Sequence, residues 1–148
     1  NDYSIGEKKG HVLISNNISI LPIICYEIIF FNDLINKENF ESNLLVNITN
    51  DSWFGELSGP YQHFYITRKR AVEFNKTLIR VSNNGISAII DELGNIISHI
   101  PLNEKRTLAK NINKPENLFN LTYFHNLIFI FLFFISLGAL IINLKNNE

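Results

Sequence analysis

At 148 residues the chain can build one domain with a core of its own. A net charge of −1 supplies no basic field for nucleic acid. A single cysteine excludes an internal disulfide and any zinc site built on several thiolates. Apolar residues reach 46%, within the globular range, but the richest run lies near the C-terminus. The chain opens on the polar stretch Asn1-Asp2-Tyr3-Ser4 rather than on Met, and it reads as part of a longer protein. Asn is abundant throughout, so the Asn-x-Ser/Thr matches at Asn17, Asn47, Asn50, Asn75 and Asn120 read as accidents of composition.

In chain order, residues 11–15 predict a short strand and Asn16-Asn17 a turn. Residues 18–24 form a β-branched run of strand length, with Pro22 pointing to an edge or a strand end. Cys25-Tyr26-Glu27 follows at once, and residues 28–36 predict a short helix. Residues 44–49 predict a second apolar strand. A loop over 50–60 carries Asp51, Gly55, Gly59 and Pro60 as breakers. Pro60 suits the first turn of a helix over 61–74, with Phe64, Ala71 and Val72 facing inward. Strands are predicted over 78–82 and 86–91 around the turn Asn83-Asn84-Gly85, with Gly85 supplying a positive φ. Residues 92–95 turn, 96–100 pair back, and 107–112 predict a last strand. The alternation of strand and helix, then several strands, predicts a layered α/β domain.

Residues 127–142 carry no charge, and extending the run to 123–144 reaches the ~20 residues that span hydrocarbon. The run has no polar face, so the pattern predicts a membrane span rather than a core helix. Tyr123 and His125 would anchor one interface and Lys145 would snorkel at the other. The predicted organisation is a domain over 1–120, a transmembrane helix over 121–144 and a short tail over 145–148.

A lone cysteine is ordinarily a small buried hydrophobe. Cys25, however, ends a buried strand and precedes a helix. Such a turn exposes the sulfur, and the helix start favours a thiolate. The Tyr26 backbone N–H would point to the same place and help stabilise an oxyanion, the thiol counterpart of a serine nucleophile elbow.

The surrounding words are more specific. Ile24-Cys25-Tyr26-Glu27 resembles the nucleophile segment of the nitrilase superfamily. Asn47-Ile48-Thr49-Asn50-Asp51-Ser52-Trp53-Phe54-Gly55 resembles the segment after its next strand. Gly59-Pro60-Tyr61-Gln62-His63-Phe64, Arg68-Lys69-Arg70-Ala71-Val72-Glu73 and Arg80-Val81-Ser82-Asn83-Asn84-Gly85-Ile86-Ser87 follow in register. Together, over about residues 3–144, they resemble the apolipoprotein N-acyltransferases, the membrane branch of that superfamily. The trailing apolar helix fits this branch and not the soluble amidases.

The resemblance implies a nitrilase-type α-β-β-α sandwich between the last two transmembrane helices of a longer bacterial inner-membrane protein, facing the periplasm. It implies transfer of an acyl chain from a phospholipid to the N-terminal amine of a diacylglyceryl-cysteine apolipoprotein, through a thioester on Cys25, with no cofactor and no metal. The family's triad is Glu-Lys-Cys. Its Glu and Lys would lie upstream of this chain, so this stretch alone is expected to be inactive.

Other site residues carry two readings. Glu27 is either a carboxylate that favours a helix start or one that fixes the nucleophile loop. Trp53 and Phe54 are either core anchors or an apolar wall for acyl chains. His63 is grouped with them as substrate-binding, and no Asn or Asp spacing supports a Cys-His dyad. Arg70 and Glu73 form an ion pair at helical spacing, whereas Arg68 and Lys69 are a solvated face or a lipid-headgroup contact. Two competing functions share the sequence: a membrane-tethered amidase or nitrilase that hydrolyses a C–N bond at Cys25, and a truncated binding fragment without catalysis.

Overall fold

The computed structural model describes residues 10–15, 18–34, 39, 41–112 and 121–146. The expected turn at Asn16-Asn17 and positions 35–36 of the expected helix lie outside these residues. The chain divides into two units, Asn1–Glu116 and Asn117–Glu148.

Among the described residues of the first unit six strands form one sheet in sequence order: β1 (Val12–Ser15), β2 (Ile18–Ile24), β3 (Leu44–Thr49), β4 (Leu78–Ser82), β5 (Ser87–Ile90) and β6 (Ile96–Ile100). β3 lies parallel to both β2 and β4, and the remaining neighbours are antiparallel. Parallel neighbours need crossovers. The first holds a 3-10 turn, Cys25–Ile29, and a one-turn helix α1 (Phe31–Leu34); the second holds a 3-10 turn, Asp51–Phe54, and helix α2 (Ser58–Phe74).

Period-2 alternation decides what each strand contributes to the α2 face. Leu21 and Ile23 of β2, Leu45 of β3 and Leu78 of β4 join Phe64, Ala71 and Phe74 of α2 in the core. Each buried Leu, Ile or Phe of this set contributes roughly 1.5–3 kcal/mol by leaving water. On the opposite face Ile24, Ile48 and Val81 stay about half exposed. Register then sorts the α2 face into rows running toward the strand C-termini. Leu21, Leu45 and Leu78 make an apolar row, and Ile23, Asn47 and Arg80 make a mixed one. Beyond them Thr49 pairs with Ser82, next to Cys25. The core therefore turns polar at the strand ends, where open α/β sheets bind ligands.

Several expectations are corrected. The helix expected over 28–36 starts instead at Cys25 as a 3-10 turn and breaks at Phe30. The carbonyls of Ile28 and Ile29 accept hydrogen bonds from Arg70 Nε (2.6 Å) and Nη2 (3.0 Å), which diverts them from a helical ladder. Val72 is exposed rather than inward, because Ala71 takes the core position and its neighbour is rotated about 100° away. Residues 107–112 form no strand.

In the second unit, residues Leu121–Asn146 form one helix of 26 residues, α3. From Leu127 to Ile142 its large apolar side chains are exposed all round. Ser136 satisfies its hydroxyl internally, donating to the Phe133 carbonyl at 2.8 Å. Among the described residues no helix is long and apolar enough to cross a membrane. The fold thus supplies a long helix where the sequence predicts a span, and not the span itself. Tyr123, His125 and Lys145, expected as interface anchors, have side chains outside the described set.

Candidate active site

Cys25 sits where β2 ends and a 3-10 turn begins, with φ of +50°. A side chain in this left-handed region costs roughly 1–2 kcal/mol and persists only when its surroundings hold it. Here they do. Glu27 reaches back so that its Oε2 accepts the Ile24 N–H at 2.7 Å. Asn47 Nδ2 donates to the carbonyls of Ile23 (3.0 Å) and Cys25 (3.4 Å). Arg70 grips the far end of the turn through the Ile28 and Ile29 carbonyls and is itself paired with Glu73.

Three donors converge on the sulfur. Thr49 Oγ1 lies 3.4 Å from Sγ, and the backbone N–H groups of Asn50 and Tyr26 point to it as well. The Thr49 hydroxyl most strongly, and the two amides with it, hold the Cys25 thiol below its ordinary pKa, against partial burial and the Asp51 charge, which push it up. Asn50 serves twice, since its Oδ1 accepts the Ser52 N–H at 3.1 Å and caps the 51–54 turn.

Beneath this arrangement lies a buried charged cluster. Asp51 and Arg80 are 0% and 1% exposed and join through Nη2 and Oδ2 at 2.7 Å. Asp51 Oδ1 faces His63 Nδ1 at 2.9 Å, and Ser82 Oγ donates to Oδ2 at 3.1 Å. Burial is the largest influence on Asp51 and raises its pKa; the His63 hydrogen bond and the Arg80 guanidinium together outweigh it and hold the carboxyl at about 2. The ionised carboxylate only accepts, so the Asp51–His63 hydrogen bond needs a hydrogen on Nδ1, the atom that Arg80 Nη2 also approaches at 3.2 Å. Arg80 spends its other donors on Asn47 Oδ1 (2.5 Å), Thr67 Oγ1 (2.8 Å) and the Ile86 carbonyl (3.2 Å). One guanidinium therefore braces both the carboxylate beside Cys25 and the amide that holds its backbone.

Gly85 makes room for this cluster. A Cβ there would stand 1.9 Å from Asp51 Oδ2. Its backbone does not adopt the positive φ expected from the turn; Gly55 and Gly94 are the glycines that do, among the described residues. The glycine requirement at 85 is one of space.

The structure brings Cys25, Tyr26, Glu27, Phe54 and His63 together. Tyr26 and Phe54 pack on the His63 ring, with centroids at 5.8 and 5.3 Å. His63 Nε2 is buried without a hydrogen-bond partner among the described residues, and none of those residues' hydrogen bonds links His63 to Cys25. Trp53 is 84% exposed, which rules out the core-anchor reading for it. Arg68 donates Nε and Nη2 to the Gly94 carbonyl at 3.0 and 2.8 Å, a structural contact. Sequence reasoning missed Asn47, Thr49, Asp51 and Arg80 as members of the site. The signal was present as polar side chains on the inward parity of apolar strands, Leu45-Asn47-Thr49 and Leu78-Arg80. Among the described residues no group of three or more His, Cys, Asp or Glu is placed to hold a metal ion.

Residues 5–116 match the carbon-nitrogen hydrolase family. Among curated relatives, the apolipoprotein N-acyltransferase of Rickettsia bellii is 41% identical over 98% of this chain and 30% of its own length. That of Rickettsia typhi is 48% identical over 70% of the chain and 21% of its own length. The chain thus spans a third or less of the length of these relatives. Among solved structures, a CN-hydrolase superfamily protein of Xanthomonas campestris, XC1258, superposes with a TM-score of 0.55 at 22% identity, covering 69% of this chain and 43% of that one. Nit3 of Saccharomyces cerevisiae, from the nitrilase superfamily, gives 0.53 at 20% identity, over 69% and 40%. These two likenesses concern the fold.

Proposed function

Since the chain belongs to the carbon-nitrogen hydrolase family, we propose that it forms the nucleophile-bearing part of an apolipoprotein N-acyltransferase. The observation that carries this reading is the Cys25 elbow, a strained cysteine at a strand end with three donors aimed at its sulfur. The relatives' printed name supplies the reaction class.

In the proposed cycle the Cys25 thiolate attacks the ester carbonyl of a phospholipid. The carbonyl carbon gains an S–C bond and loses its C–O bond, and the thiol proton leaves with the lysophospholipid alcohol. The N-terminal amine of a diacylglyceryl-cysteine apolipoprotein then attacks the thioester. An amide forms, and the sulfur leaves and recovers a proton from the amine. Tyr26 contributes its backbone N–H at the reacting centre, and Glu27 positions the elbow. Trp53 and Phe54 form an apolar wall for the acyl chain, with His63 as the floor under Phe54 and Tyr26.

The same reading makes α3 a membrane span. Twenty-six residues rise about 39 Å, against about 30 Å of hydrocarbon, and the large apolar side chains from 127 to 142 are exposed. The half-exposed apolar sheet face at Ile24, Ile48 and Val81 suits the second sheet of an α-β-β-α sandwich. Location at the bacterial inner membrane, with the catalytic unit in the periplasm, follows from the proposed reaction. Exposed Trp53 favours a lipid donor over the small amide of a soluble amidase.

Mass spectrometry of the full-length protein incubated with phospholipid tests the reading. An acyl adduct on Cys25, absent from Cys25→Ser, is expected. An unmodified Cys25 under turnover would overturn it.

A further inference from the structure

Thr49 Oγ1 stands between two acceptors, 3.4 Å from Cys25 Sγ and 3.2 Å from Asp51 Oδ1. A hydroxyl has one hydrogen and can serve only one of them at a time. The two ends are not equivalent. Asp51 keeps three other donors, from His63, Arg80 and Ser82, at 2.9, 2.7 and 3.1 Å. Its carboxylate therefore stays satisfied when Thr49 turns away. Among the described residues the other donors to the sulfur are the Asn50 and Tyr26 amides, and both are fixed by the backbone.

We propose that the Thr49 hydroxyl is a two-position donor: it lies on Asp51 while Cys25 is a thiol and turns to Sγ when the thiolate forms. Thr49 is thus a positioning residue for the nucleophile. Its O–H bond is never broken; the hydrogen rotates about Cβ–Oγ1, and the thiol proton goes to water or to the catalytic base. Because both acceptors are within reach of one rotamer, no heavy atom moves. The buried Asp51, His63 and Arg80 supply the fixed charge and dipoles around this switch, Glu27 is committed to the Ile24 N–H, and Arg70 to the Ile28 and Ile29 carbonyls and Glu73. The inference rests on the reading of Cys25 as the nucleophile.

Its test needs no acyl transfer. The chain has a single thiol, so iodoacetamide alkylation of the full chain, followed by mass spectrometry across pH, reads Cys25 alone. Thr49→Val keeps the shape and removes the donor. We expect it to slow alkylation at pH 7 on the order of tenfold, the loss of one hydrogen bond to a charged acceptor. The midpoint of its rate–pH curve moves to higher pH. Thr49→Ser restores rate and midpoint. A Thr49→Val curve that superimposes on the unsubstituted chain would overturn the proposal, as would a Thr49→Ser curve that follows Val, since packing by the methyl group would then explain the effect. A Thr49-dependent curve in a full-length protein that forms no thioester would leave the switch standing and sink the acyl-transfer reading.

Discussion

Helices α2 and α3 treat their side chains in opposite ways. On α2 the buried positions are Pro60, His63, Phe64, Thr67, Arg70, Ala71 and Phe74, a stripe at helical spacing, while Tyr61, Tyr65 and Val72 face out. The polar members of that stripe are tied to the sheet or the nucleophile turn: His63 to Asp51, Thr67 to Arg80, Arg70 to Ile28 and Ile29. On α3 the apolar side chains from 127 to 142 point in every direction, and the one hydroxyl among them bonds within its own helix. The contrast separates two kinds of constraint. Under α2 the identity of each partner matters, because a buried charge without its mate is costly. Along α3, read as the proposed membrane span, the summed hydrophobicity matters more than any one partner.

The largest expected effect breaks the α2 side. Arg80→Met strands the Asp51 carboxylate in the core and should destabilise the first unit by about 3–5 kcal/mol, read by denaturant unfolding of the full chain. Pairing it with Asp51→Asn removes the orphaned charge and should recover part of that loss; equal instability of the single and double variants would mean that the ion pair is not what matters. Next comes α3. Phe133→Lys should cost about 2.5–3.5 kcal/mol of bilayer insertion, measured as the fraction of chain recovered with vesicles, and should leave unfolding of the first unit unchanged. Undiminished vesicle recovery would mean that α3 is covered by protein instead. The smallest effect sharpens the electrostatics. Asp51 titrates at about 2 when folded against an ordinary 3.8. Its depressed value stabilises the fold above pH ~3.8 and is lost as the pH falls toward 2, amounting to about 2 kcal/mol. An acid-unfolding curve should show this loss, and Asp51→Asn should flatten it.

Much of the frame was legible in the residues. β-branched runs of strand length marked β2, β3 and β4, and Pro60 lies in the first turn of α2 as its fixed φ allows. The Arg70–Glu73 pair followed from helical spacing and is present. The 3-10 character of the nucleophile turn was not legible, because Arg70, more than forty residues on, takes the carbonyls that a longer helix would need. Gly85 was read for its backbone freedom, yet what forbids a side chain there is an Asp51 oxygen brought in from another loop.

The order of strands, the cysteine at a strand end and the apolar run of α3 were determined by the sequence itself, since period, turn residues and hydropathy are properties of consecutive positions. The polar floor under Cys25 was decided only by the tertiary structure. Asp51, His63 and Arg80 belong to a 3-10 turn, a helix and a strand, and their burial is tolerable only because the three meet. A charge costs or stabilises according to its partner and its distance from water, and neither quantity exists until the chain has folded.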